Sequence, residues 1–417
     1  MANVSVLTEL RARVAAIDRK FAERLPPAPP PPRVEAPEQY FVQEWLHGDE
    51  VETPFGRHFE TERLYQRHRR YGSMDISSLA EVPANVLGLI AGEPMEDAPP
   101  EKWAFLDTET TGLSGTAGTY AFLVGVGRIT PEGFRVRQFF MREPREEMSL
   151  LWRLAEHLAE FDVLITYNGK AYDEPLLETR YRIFRMPAPF VRLAHVDVLF
   201  AARRLWKLRF ESCRLVRLEN QILGIERQGD LPGELIPYVY VEYLRTREAF
   251  QLMPIFHHNS MDIVTLACLT AIVPGAFQGD LRNGAEMVAV ARWLRREGEW
   301  ERARDLFRRA VDRGLADHLL FRTLWDIAGL EKKLGRHAAA FEVLRELAES
   351  RNPFRAAAWI EVAKYYEHRE KNYSEALAAA VAALALSDGA GIRRRLARLE
   401  RRLMRKSAQA KRPAPMI

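Results

Sequence analysis

A chain of 417 residues, 47% hydrophobic and 28% charged, is long enough for two or three domains, each with its own apolar core. Two cysteines, Cys213 and Cys268, are too few for a disulfide framework; they fit a reducing, cytoplasmic setting in which both are buried thiols. A net charge of +4 is compatible with a polyanionic partner without requiring one, and no apolar run approaches the ~20 residues of a bilayer span, so no membrane is expected.

Residues 1–39 begin as a short amphipathic helix, with charges interleaved among apolar residues as they are not in a secretory signal. Pro26, Pro27 and Pro29 to Pro32 then impose an extended, polyproline-like linker. Residues 40–100 mix aromatics, charges and turns without one period, which predicts short strands and turns packed on the domain that follows. From 101 to 280 strand and helix patterns alternate, the mark of an α/β domain. WAFLDTET, TYAFLVGVGRI and FRVRQFF are β-type runs joined by short turns, a meander. A helical period follows in EEMSLLWRLAEHLAEF, then the strand DVLITYN, the helix DEPLLETRYRIF, the strand HVDVLF and the apolar helix DIVTLACLTAIV.

After Gly284 one theme repeats: a helix, a tight turn, then an Ala opening the next packed face. Ala303, Ala340 and Ala376 are spaced by about a tetratricopeptide period, with Gly298, Gly335 and Lys371 in equivalent turns. Residues 286–390 therefore predict an all-α helical-repeat domain, near the minimum length for a stable stack. Residues 391–417 form a basic tail, either a solvated terminus or a phosphate-binding one.

The chemistry-bearing residues come in three clusters. In FLDTETTGL an apolar strand ends in Asp107 and Glu109, two residues apart and so on one face. Carboxylates held side by side repel, which a divalent cation relieves. The turn that follows, through Thr110, Gly112 and Leu113, lets backbone amides approach a ligand. In LITYNGKAYDEPLL a strand runs into Asn168–Gly169, and Asp173 opens a helix with Tyr172 just before it; Asp173 reads equally as an N-cap. In IFHHNSMDIVTL, Asp262 follows His258 by four residues and His257 by five; a histidine one turn from a carboxylate can face the same site and take a proton near neutral pH.

Taken in order, these clusters resemble the motifs of the DEDD exonucleases. Asp107 and Glu109 match the D-x-E strand, Asn168 to Asp173 the N-x-x-x-[FY]-D motif, and Asp262 the last acid. Within that superfamily the chain is most similar to the bacterial YprB-like ribonuclease H-like proteins, around HVDVLFAARRLWKLRFESCRLVRLENQILGI, DLPGELIPYVYVEYLRT and FHHNSMDIVTL. The resemblance covers residues 40–275 well and the repeats loosely. It implies a ribonuclease H-like domain, with three antiparallel strands and then alternating helices and strands, followed by tetratricopeptide-type repeats. One departure stands out: the last motif places either Tyr with three intervening residues before Asp, or His with four. Here His258 has three and His257 four, and His258 is read as the replacement for Tyr.

The resemblance further implies a 3′–5′ exonuclease acting on single-stranded DNA or RNA. Two divalent ions, Mg²⁺ or Mn²⁺, would be held about ~4 Å apart by Asp107, Glu109, Asp173 and Asp262, with His258, or alternatively His257, as base. Thr110, Gly112, Leu113, Asn168 and Tyr172 are candidate substrate contacts. Asp197 reads as a structural hydrogen-bond acceptor near the site. Arg203, Arg204, Lys207, Arg209, Arg214 and Arg217 form a basic stretch that is either a solvated helix face or a guide for a nucleic-acid backbone, and Trp206 and Phe210 are either core or base-stacking residues. Two rival functions remain: a scaffold whose catalysis has lapsed, or an endonuclease of the same fold. The repeats offer a groove for a protein partner.

Overall fold

The structure, a computed structural model, describes residues 42–112, 118–278, 281–387 and 389–410. The helix and linker expected over residues 1–39, and Leu113, lie outside the described residues.

After a single helical turn, α1 (Val42–Trp45), β1 (Gly48–Thr53) and β2 (Gly56–Gln66) form a hairpin, and β3 (Arg70–Tyr71) and β4 (Met74–Asp75) a small separate ribbon. The helix α2 (Val86–Ala91) precedes the meander β5 (Trp103–Thr110), β6 (Ala121–Thr130) and β7 (Gly133–Phe140). Then α3 (Glu147–Leu158), β8 (Val163–Thr166), α4 (Asp173–Ile183), β9 (Ala194–Asp197) and α5 (Val198–Trp206) alternate. The sheet order is β1-β2-β7-β6-β5-β8-β9, antiparallel as far as β5 and parallel across β5-β8-β9. The N-terminal hairpin does more than pack on the domain: β2 pairs with β7 and extends its sheet.

Alternation along each strand feeds two cores. Trp103, Phe105, Ile165 and Val196 point into one face, packed with α2, α5 and α8 (Met253–Gln278). Ala104, Leu106, Phe139 and Leu164 point into the other, beneath α3, α4 and α7 (Ile236–Thr246), which joins this second core through Tyr240 and Tyr243, while the short α6 (Leu215–Leu218) packs into the first core through Leu218. The strand expected over HVDVLF stops at Asp197, because the Asp197 carboxylate accepts the amide of Leu199 at 3.1 Å and caps α5, so Val198 onward is helical.

The helix α8 overturns one expectation. With the 3-10 turn before it, the helical stretch Ala249–Phe277 is long and apolar enough to match a bilayer span by length and composition, but 67% of its most apolar part is buried inside the protein. It is apolar nearly all round because both cores draw on it: Ile255 and Phe256 enter one, Ile263 to Leu269 the other. Two glycines of β6 let it lie close. A Cβ on Gly125 would sit 2.2 Å from Asn259 Oδ1, and one on Gly127 2.6 Å from Ile263 Cγ2.

The C-terminal region is all-helical. It forms the hairpins α9 (Gly284–Arg296) with α10 (Trp300–Asp312), α11 (Asp317–Lys333) with α12 (His337–Glu349), and α13 (Arg355–Tyr365) with α14 (Tyr373–Leu386), closed by α15 (Ala390–Ala410). Gly298, Gly335 and Lys371 all take the left-handed conformation, with φ of 83°, 76° and 53°, and Ala303, Ala340 and Ala376 are all buried; the first two turns share one hydrogen-bond pattern, while the third is entered from a π-helical turn, Tyr366–Glu370. The first hairpin shares the core of the α/β domain: Met287, Val288 and Leu294 of α9 and Phe307 of α10 pack in one cluster with α5 and α8. The basic C-terminal stretch is helical through Ala410, and Arg395, Arg398 and Arg402 converge on the buried Glu367 at 2.5, 3.0 and 3.3 Å.

Candidate active site

Three elements deliver the acidic side chains to one cleft. Asp107 and Glu109 leave β5 on the face covered by α8, and a register shift between Glu109 and Thr110 ends the strand. Asp173 arrives at the first turn of α4, and Asp262 stands within α8, well inside the helix and not at its start. Tyr172 takes the N-cap position of α4, while Asp173 accepts a short hydrogen bond from the Thr108 hydroxyl, so the N-cap reading of Asp173 gives way to a contact that ties the start of the helix to β5.

The row behind Asp107 explains its placement. Thr61, Gln138, Gly125 and Asp107 are register partners across β2, β7, β6 and β5, and their side chains share one face. Since Gly125 has no side chain, Asn259 of α8 occupies the space above it. Thr61 Oγ1 donates to Gln138 Oε1 at 3.0 Å, Gln138 Nε2 to Asn259 Oδ1 at 2.8 Å, and Asn259 Nδ2 to Asp107 Oδ2 at 2.9 Å. A polar chain thus runs from the N-terminal hairpin to the first acid.

The opposite side of the cleft is set by Arg227, whose side chain is buried. Its guanidinium donates to Asp262 Oδ1 at 2.5 Å, to Glu219 Oε2 at 2.6 Å and to Asp230 Oδ2 at 3.3 Å. Glu219 is held in turn by Tyr71 at 2.5 Å and Thr265 at 2.8 Å. Burial works against the Arg227 charge, but Asp262 and Glu219 outweigh it and hold the guanidinium firmly protonated. His258 joins this group: Nδ1 lies 2.9 Å from Asp230 Oδ1, and Nε2 lies 3.6 Å from Asp262 Oδ2, beyond hydrogen-bond reach. A proton on Nδ1 given to Asp230 leaves Nε2 bare and facing the cleft. His257 points elsewhere. It is exposed and lines a separate cavity of about 610 Å³ with Trp45, Met253 and Phe256.

The electrostatics record crowding. Asp107 is pushed well above the usual carboxylate range by burial and then by Asp262 and Asp173, against the pull of Asn259 and Arg227. Glu109 is raised likewise, by burial and then by Asp107, Asp262, Asp173 and Asp230. Asp173 is pushed up to about 6, burial again leading, with the Thr108 bond opposing it. One guanidinium cannot balance this many acids, and carboxylates crowded together with only neutral hydrogen-bond donors at Asp107 and Asp173 require either protons or cations. Among the described residues no three His, Cys, Asp or Glu side chains form a ready-made metal cage. Hard oxygen donors in excess negative charge nonetheless suit Mg²⁺ or Mn²⁺.

The remaining sequence-selected residues shape the rim. Thr110 Oγ1 and Tyr172 OH both donate to the carbonyl of Gly112, at 2.9 and 2.8 Å, and so pin the turn after β5. Asn168 is left-handed at φ 70°, its amide held by Asp197 Oδ1 at 2.8 Å. Trp206 is core, 2% exposed, and Cys268 is fully buried while Cys213 is half-buried. Sequence reasoning missed Asn259, Arg227 and Asp230. Asn259 lies within the quoted HHNSMD string, where its position between His258 and Asp262 was a usable signal, and Asp230 opens the quoted string DLPGELIPYVYVEYLRT; Arg227 sits in a loop with no such signal.

A sheet of this order with acids on β5, on a following helix and on the closing helix defines a ribonuclease H-like domain, and residues 104–273 match the RNase_H superfamily. Proteins of that superfamily are typically nucleic-acid hydrolases that use divalent metals. The chain is 34% identical over 335 residues to the uncharacterized protein YprB of Bacillus subtilis (strain 168), a match covering 78% of this chain and 79% of that one. It belongs to the same family, within the ribonuclease H superfamily.

Proposed function

We propose that the protein is a 3′–5′ exonuclease that hydrolyses single-stranded nucleic acid with two divalent metal ions, Mg²⁺ or Mn²⁺. The observation that carries this reading is the convergence of Asp107, Glu109, Asp173 and Asp262 on one cleft, where each of the first three is driven toward protonation by burial and by other acids. These four would hold the ions, which would neutralise the acids, lower the pKa of a bound water and stabilise charge on the transferring phosphoryl group.

The chain's own residues do the rest. Asn259 fixes one oxygen of Asp107 and Thr108 one of Asp173, so each carboxylate presents a chosen lone pair. His258, oriented through Nδ1 by Asp230, offers Nε2 to the attacking water. Attack at phosphorus forms the new P–O bond and breaks the bond to the 3′ oxygen; the water proton passes to Nε2, the departing 3′ oxygen takes a proton from solvent to become the new 3′-hydroxyl of the shortened strand, and a nucleoside 5′-monophosphate leaves. The pinned turn at Gly112, with Asn168, lies where the terminal nucleotide would rest. The helical hairpins, read as tetratricopeptide-type repeats, offer a surface for a protein partner, and we assign the protein to the cytoplasm.

The test uses the full chain with 5′-labelled single-stranded DNA and RNA. Stepwise shortening with Mn²⁺ or Mg²⁺ is expected, abolished by EDTA and by Asp107→Asn. Circular or 3′-blocked strands should resist; rapid cutting of circles would instead identify an endonuclease. Activity that survives chelation would end the metal reading.

A further inference from the structure

Tertiary structure divides the six cations between residues 203 and 217. Arg204 turns inward and donates to the carbonyl of Ile90 at 3.1 Å. Arg209 pairs with Glu286 of α9 at 2.7 Å and lies over the ring of Phe210. Arg217 is exposed on α6, outside the recess described next. The other three, Arg203, Lys207 and Arg214, line one recess of about 740 Å³. Among the described residues none of these three has a carboxylate partner within salt-bridge distance, although Glu211 lies on the same wall.

The facing wall is Tyr167 and Asn168, at the end of β8 and five residues before Asp173. Both walls are held rigidly. The Tyr167 hydroxyl donates to the carbonyl of Cys213, which also lines the recess. Asp197 accepts the amides of Asn168 at 2.8 Å and Lys170 at 3.3 Å, and caps the helix that carries Arg203. One carboxylate therefore fixes the turn on one side and the start of the cationic helix on the other. Three like charges gathered around a preformed recess, with Glu211 the one carboxylate lining it, leave an excess of positive charge that matches a polyanion.

We propose that this recess is the backbone track of the substrate: nucleotides on the 5′ side of the scissile bond leave the carboxylate cleft past Asn168 and lay successive phosphates against Arg203, Lys207 and Arg214. The proposal rests on the nuclease reading for the direction of the strand, but the recess binds through charge alone, so its test needs neither metal nor turnover.

The full-length protein is titrated in EDTA with a fluorescent single-stranded oligonucleotide over a range of salt. The variant Arg203→Gln/Lys207→Gln/Arg214→Gln should bind about 10-fold more weakly at low salt, and its plot of log affinity against log salt should be shallower by about 2. Glu211→Gln should bind more tightly, and Arg217→Gln should match wild type. Because Cys268 is fully buried, maleimide labelling reports on Cys213, and bound oligonucleotide should slow it. Unchanged affinity and salt slope in the triple variant, an equal loss in Arg217→Gln, or labelling indifferent to the oligonucleotide would each overturn the track. Should the wild type cut strands while the triple variant keeps its KM, the nuclease reading survives and the track does not. Charge-dependent binding without cleavage under Mn²⁺ gives the converse.

Discussion

Asp173→Asn is expected to stabilise the metal-free protein while abolishing its activity. Asp173 is 7% exposed, and its carboxyl is pushed from 3.8 to about 6, chiefly by burial, despite the hydrogen bond from Thr108. A displacement of that size corresponds to about 3 kcal/mol of destabilisation whenever the group is ionised in the folded state. Asparagine keeps the shape and an acceptor for the Thr108 hydroxyl, removes the charge, and relieves the repulsion felt by Asp107 and Glu109. The sign follows from linkage. Below about pH 4 the carboxyl is protonated in both folded and unfolded chains, so wild type and variant differ little. The penalty grows as pH rises from about 4 to about 6 and is complete above that. Thermal unfolding in EDTA should therefore show the variant melting higher at pH 7.5, by on the order of 5 °C, with the advantage vanishing near pH 4. Saturating Mg²⁺ should raise the wild-type midpoint and move the variant's little, because only the wild type keeps its full ligand set. A variant that melts lower than wild type at pH 7.5, or an advantage undiminished at pH 4, would refute the account of a strained, cation-seeking cluster.

His258→Ala should reduce turnover at least 100-fold with metal affinity largely kept, Asp230→Asn should follow it in part, and His257→Ala should change little; the reverse ranking in single-turnover kinetics would move the base to His257. Gly125→Val should cost about 2 kcal/mol or more and weaken Mn²⁺ binding, since its Cβ would meet Asn259 Oδ1 at 2.2 Å and Ile263 Cδ1 at 2.3 Å; urea unfolding and calorimetry test both parts, and normal values in both would contradict the close approach of α8. Truncation after residue 280 should yield an unstable or aggregating protein, because burying a side chain such as Met287, Val288, Leu294 or Phe307 contributes about 1.5–3 kcal/mol each; a cut after residue 350 should leave that core covered, and equal melting curves for the two truncations would argue that the first hairpin is dispensable.

Much of this architecture can be read from residue order. Strand runs such as WAFLDTET and helical periods such as EEMSLLWRLAEHLAEF declare themselves because side chains two or three to four residues apart share a face whatever the rest of the chain does. The same local rule put Asp107 beside Glu109, and His258 one turn before Asp262. It also marked the turns at Gly298, Gly335 and Lys371, where a left-handed residue must reverse the chain. The limits of that rule appear at Asp197, where one side-chain hydrogen bond converts the second half of HVDVLF from strand to helix.

What local spacing could not decide was every contact made through space. Arg227 and Asp230 lie in a loop between α6 and α7, and only packing brings them against Glu219, His258 and Asp262. Which of the two histidines lies beside Asp230 and Asp262 depends on which side of α8 faces β5, and Gly125 and Gly127 let the helix settle close onto β6. Six neighbouring cations looked alike in sequence and were separated by partners 77 to 114 residues away, Glu286 for Arg209 and Ile90 for Arg204. Periodicity is a property of one segment, whereas a charge's role depends on the counter-charges and burial that distant segments supply, and those exist only once the chain has folded.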